Sequence, residues 1–356
     1  MRWSSVLLPF LCAGCATPVV CEDTTRPHRV VDQFWSVLDR SYAVFDPRLG
    51  DQDWIALGRQ ACAEVTPSTS DDDLFDVLLG MAQSLDDGHI QLSSPDRDAR
   101  GWREPWPHYG EEAAVRAWVR TQADVGTFGS GGEGAWTWAC LDQVAYLGIR
   151  WLDDLGGSGS ERSDRQRAEA LLDQITTETL RACDARGWLL DVRFNGGGWD
   201  AVGLDIARRI EGERQIAWST AQRNGPEHDD LTDFEDQWLE ASEPGAFEGP
   251  VIVLTSPGTF SAGETMVLAL RERSRVEVWG EPTSGHLSDL YFANLPKRGF
   301  HFTYSGDRYR AADGALYEGR GIPVDRAVPY EPGAASTSGD PQIRLAAEQL
   351  RTYSVP

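Results

Sequence analysis

Three short apolar runs, the first two each leading through a turn into a helical stretch, constrain this chain more than any other feature. They are Trp188-Leu-Leu-Asp-Val-Arg193, Pro250-Val-Ile-Val-Leu-Thr255 and Val276-Glu-Val-Trp279. The first two are almost continuously apolar, the pattern of strands covered on both faces and hence of a parallel sheet. A fourth strand reads as Val144-Ala-Tyr-Leu-Gly-Ile-Arg-Trp151. Helices are expected from about Arg162 to Arg186, through Ile206 and Ile210, and from about Ala262 to Arg273. Strands alternating with helices need crossover connections, so the main unit is α/β with a largely parallel sheet. Beyond Leu290 the pattern turns strand-rich, and the chain closes with a helix from Pro341 to about Arg351.

The stretch before this unit is different. Val30, Val31, Phe34, Trp35 and Leu38 recur at three and four, as one face of a helix does. A second helix is expected over Asp53 to Val65. A third starts near Ser70, whose side chain can cap it, and runs through Leu74, Phe75, Val77, Leu78 and Met81. The chain therefore divides into a helical N-terminal domain (28–92), an irregular connecting segment (93–135), a main α/β domain (136–330) and a C-terminal tail with a helix (331–356). The connecting segment holds a helix over Glu111 to Thr121 and a Gly-rich loop from Gly126 to Gly134.

Residues 1–16 read as an export signal: Arg2 is followed by an apolar stretch, Val6 to Ala13, too short to span a bilayer. It ends in Cys12-Ala13-Gly14-Cys15, close to a bacterial lipoprotein box, which makes Cys15 a lipidation candidate. Cleavage after Ala16 is the alternative. Export places the protein in the periplasm, on the outer membrane as a lipoprotein, or outside the cell. There Cys21, Cys62, Cys140 and Cys183 can form two disulfides in any of three connectivities, or stay as buried thiols. A formal charge of -23 disfavours nucleic acid and anionic lipid. No cysteine spacing suits zinc, and neither metal nor organic cofactor is expected.

Four segments carry candidate chemistry. In Thr255-Ser-Pro-Gly-Thr-Phe-Ser261-Ala-Gly-Glu264 a strand turns sharply into a helix just after Ser261. A hydroxyl there meets helix N-terminal amides able to receive an oxyanion, although a serine at that place can simply cap the helix. Asp191-Val-Arg-Phe-Asn-Gly-Gly-Gly198 brings backbone N–H groups close to a ligand, or is a plain turn. It lacks the spacing of a nucleotide site. Leu85-Asp-Asp-Gly-His89 offers a histidine base at a domain junction. Glu318, in Glu318-Gly-Arg-Gly-Ile-Pro-Val-Asp325, offers a carboxylate or is merely solvated.

In this order, together with Gly280-Glu-Pro-Thr-Ser-Gly285, these segments resemble the tail-specific (C-terminal processing) peptidases and the tricorn protease core. The resemblance runs from about Arg29 to Val328. It implies a crotonase-like ββα domain joined to the helical one, without the PDZ insert of the processing branch. It also implies a serine peptidase acting on unstructured protein tails or peptides. The processing branch uses a Ser–Lys dyad, but His286 stands where that lysine belongs, and Lys297 is the only lysine in the chain. The tricorn-like branch implies Ser261 as nucleophile, His89 as base and acid, Glu318 in support, and the amides of Gly197 and Ala262 as oxyanion donors. Gly88 replaces the serine that precedes the histidine in that branch, and His286 is the rival base. Two other readings compete: an α/β-hydrolase esterase, using His286 or His301 after the serine, and a non-catalytic surface protein of the same fold that binds peptides.

Overall fold

The computed structural model describes residues 20–102, 106–155, 157, 159–297 and 299–353. The export-signal reading and Cys15 lie outside them.

The three apolar runs are neighbouring parallel strands, Gly187–Asp191, Val251–Thr255 and Val276–Gly280, in register at Leu190, Val253 and Val278. Arg326–Ala327 adds to one side and Val144–Ile149 to the other, both parallel. Trp136–Cys140 and Gly129–Gly131 finish the seven-stranded sheet in antiparallel fashion. Successive side chains point to opposite faces, and each face is covered. Leu190, Val253 and Val278 pack on helices Glu161–Ile175, Asp200–Ala207 and Ala262–Arg271. Leu189, Ile252 and Leu254 pack on Glu112–Gln122 and Pro341–Thr352. Burial on both faces is why these strands do not alternate with polar residues.

Helices Arg26–Ser41, Trp54–Glu64 and Asp71–Ser84 form the N-terminal layer. The side chains of Asp53 and Ser70 cap the last two by accepting from the amides of Ala56 and Asp73. Their core is not closed by helices alone. Leu295, Phe300, Phe302 and Tyr304 enter it from the hairpin Leu290–Asn294/His301–Ser305. That hairpin pairs with Gln91–Ser93, which in turn pairs with Asp98–Arg100, so the end of the segment read as helical and the start of the one read as connecting belong to a four-stranded antiparallel sheet. This sheet carries the chain out of the helical layer just past His89.

The helix expected to reach Arg186 stops at Ile175 and continues as a wider turn, Thr176–Arg181. Two disulfides, Cys21–Cys62 and Cys140–Cys183, select one of the three connectivities.

Candidate active site

The loop from Ser256 to Ser261 is knitted to the glycine segment before any side chain is aimed. The Ser256 hydroxyl donates to the Arg193 carbonyl (2.5 Å), that of Thr259 to Val192 (2.8 Å), and the Phe260 amide to Asn195 (2.9 Å). Arg193 is itself fixed, fully buried, on Asp191 and Asp340. Ser261 holds φ +55° and ψ −128°, a strained region for a residue with a side chain. Its backbone N–H donates to His286 (3.1 Å), and its hydroxyl makes no capping bond to the helix that follows. Helix capping therefore does not account for this serine.

Gly197, at φ +104°, lies against it: a Cβ there would stand 2.8 Å from the Ser261 Cβ. The Ala262 amide, first of the helix, has no hydrogen-bond partner among the described residues, and neither has that of Gly198. The Gly197 amide is engaged, donating to the Asn195 side chain (2.9 Å).

Ser261 and His89 line one cavity of about 300 Å³, with Arg100, Trp102, Arg150 and Trp151 among its other walls. His89 is 2% exposed, and neither ring nitrogen has a hydrogen-bond partner among the described residues. Its ring packs 4.6 Å from that of Phe260, the residue before the serine. Burial lowers its pKa to about 4, against the opposing pull of Asp87. A buried histidine with both nitrogens vacant is poised for a partner that is not part of the fold.

The rival histidine is differently placed. The Trp102 indole N–H, which can only donate, gives its proton to His286 Nε2 at 2.6 Å, so Nδ1 carries the ring's proton and faces the Ser284 hydroxyl at 2.8 Å. His286 lies outside the cavity lining, and burial drives its pKa well down. Trp102 also explains Gly88: a Cβ there would come within 2.1 Å of the indole. The serine of the tricorn-like branch has no room here.

Glu318 is 3% exposed and does not hydrogen-bond to His89. It accepts from Arg48 (2.6 Å) and from the Leu287 amide (2.9 Å); burial raises its pKa while Arg48 opposes the rise. Asp87 accepts from the His89 backbone N–H (2.8 Å), Tyr42 (2.9 Å) and Ser305 (2.6 Å). Burial works against its charge, but Arg48 and the two histidines hold its pKa below the usual range. Glu264 tethers the His286 loop, accepting from Thr283 (2.5 Å) and from the amides of Gly285 and His286 (both 2.7 Å). Lys297 is remote from these groups and pairs with Asp71. His301 packs on Phe292 in the hairpin, so the hydrolase alternative loses one of its candidate bases.

Sequence reasoning missed Arg48, Trp102 and the tethering role of Glu264. Glu264 sat within a quoted motif, whereas Arg48 and Trp102 lie outside every motif singled out in the sequence.

Residues 156–328 match the sequence profile of peptidase family S41. A carboxyl-terminal-processing protease of Synechocystis sp. is 35% identical over 101 residues, 28% of this chain and 21% of the relative. The alignments span about a fifth of the length of the curated relatives matched. A solved structure of a candidate peptidase from Parabacteroides merdae superposes with a TM-score of 0.76 at 25% identity, covering 92% of this chain and 97% of that one. The tricorn protease shares the fold, with a TM-score of 0.52 at 13% identity over 92% of this chain and 37% of its own. The mixed α/β architecture is that of these two solved structures. The α/β-hydrolase reading is thereby set aside.

Proposed function

We propose that this protein is an exported serine peptidase that cleaves unstructured protein tails or peptides through an acyl-enzyme on Ser261. The observation that carries the reading is one cavity lined both by a strained, uncapped serine and by a buried histidine with two vacant nitrogens. Ser261 Oγ attacks the peptide carbonyl, and its proton passes to His89. The histidine returns that proton to the leaving amine, and water then releases the acyl group. Ala262 N–H is the oxyanion donor with no competitor; Gly197 N–H is shared with the Asn195 side chain. One such donor is worth on the order of 3 kcal/mol in other serine proteases. His286 is a poorer base, because Trp102 occupies the lone pair it would use.

Export, as a periplasmic protein or as a lipoprotein anchored through Cys15, is supported by two disulfides that require an oxidising compartment. The test is hydrolysis of an unfolded protein substrate by the purified chain and by Ser261→Ala. Turnover should fall by about 10⁴-fold or more in the variant with its melting temperature kept. Equal turnover in both would remove the reading.

A further inference from the structure

We propose that Arg48 is a positioning residue that clamps the loops carrying His89 and His286 and the turn carrying Glu318 into one constellation. This rests on the serine-peptidase reading of the site and assigns a residue that none of its motifs contains. Arg48 sits on the short helix Phe45–Leu49, in the helical layer, yet its guanidinium reaches across the junction. One terminal nitrogen donates to the Asp86 carbonyl at 2.5 Å, within the turn that leads to His89. The other donates to the Gly285 carbonyl at 2.5 Å, next to His286, and to Glu318 at 2.6 Å, while Nε bonds the same carboxylate at 3.1 Å. The side chain is 4% exposed and is the cation between two buried carboxylates, Asp87 and Glu318.

A planar fork with five donors can serve three acceptors in fixed directions; a lysine ammonium on a flexible stem cannot. Arg48 thus does what no contact between Glu318 and His89 does in this protein: it connects the carboxylate to the histidine loop. It also faces His89 electrostatically. Asp87 favours the charged imidazole, while burial, Arg48 and Arg100 disfavour it, and His286 lies 6.1 Å away ring to ring. Arg48 therefore helps keep His89 neutral, the form a base needs.

Two variants separate position from charge. Arg48→Lys keeps the charge and loses the fork. Arg48→Met/Glu318→Gln removes the charge together with the carboxylate it hydrogen-bonds, while Asp87 keeps its bonds from Tyr42, Ser305 and the His89 amide. The readouts are the pH dependence of fluorophosphonate labelling at Ser261 and the titration of the His89 Cε1–H resonance by NMR, assigned with His89→Ala. Arg48→Lys should label at least tenfold more slowly with its acid-limb midpoint unmoved. The double variant should shift that midpoint, and the NMR titration, upward by about one pH unit. Wild-type labelling rates in Arg48→Lys overturn the proposal. So does a folded double variant in which both labelling and the His89 titration stay as in wild type. Should wild type take no label, the peptidase reading falls, and the NMR titration still decides the role of Arg48. Should the double variant fail to fold, the labelling rate of Arg48→Lys decides.

Discussion

Ser261 keeps a backbone conformation that costs on the order of 1–3 kcal/mol, and the surrounding bonds hold it there. Glu264 is part of that support, because the loop it tethers supplies the carbonyl that binds the Ser261 amide. Burial, only partly offset by three donors, raises its pKa to about 7. An acid whose folded-state pKa is raised favours the protonated fold, so its contribution is present below the unfolded value and is lost as pH rises through about 7. Chemical denaturation at pH 5 and pH 8 should show wild type losing on the order of 2 kcal/mol more than Glu264→Gln between the two. Equal losses would contradict the assignment. At this scale the sequence showed the serine, the histidine and the glycine segment, since each sat in a motif with a mechanism. Arg48 and Trp102 were invisible because their partners lie far along the chain, and no local spacing marks a side chain that acts across a domain junction.

The elements were more legible than their partners. The parallel strands and the amphipathic helices stand where periodicity put them, because burial on one face or two leaves a pattern in the residues. The short strand Asp98–Arg100 lay in sequence read as irregular, and Gln91–Ser93 straddled the end of the segment read as helical; three residues are too few to display a period. The wide turn Thr176–Arg181 interrupted a helix that apolar spacing alone would have continued. Just beyond it, Cys183 closes a loop of sequence separation 43 with Cys140. In the chain-entropy account a loop of that length is worth about 4 kcal/mol. Cys140→Ala/Cys183→Ala should therefore lower denaturant stability by 2–4 kcal/mol, and reductant should then affect the variant less than the wild type. A variant as stable as the oxidised parent would refute the pairing's role.

At the scale of the molecule, the helical layer and the α/β unit are joined by more than a linker. The hairpin from Leu290 to Ser305 completes the helical core with Phe300 and Phe302, both buried. A fragment of residues 20–102 should accordingly show no cooperative unfolding by circular dichroism. Adding the hairpin as a tethered segment should restore it, and a cooperative transition in the bare fragment would contradict this. Period distinguished helical from α/β sequence, but the exchange of strands between the two was not readable, since long-range pairing leaves no local trace. The same junction brings His89, from one layer, into the cavity that holds Ser261, from the other. The most direct measurement is fluorophosphonate labelling of the purified chain, mapped by mass spectrometry, for wild type and His89→Ala. The account predicts an adduct on Ser261 in wild type that is lost in the variant. No adduct on wild type, or an adduct forming equally fast without His89, would contradict it.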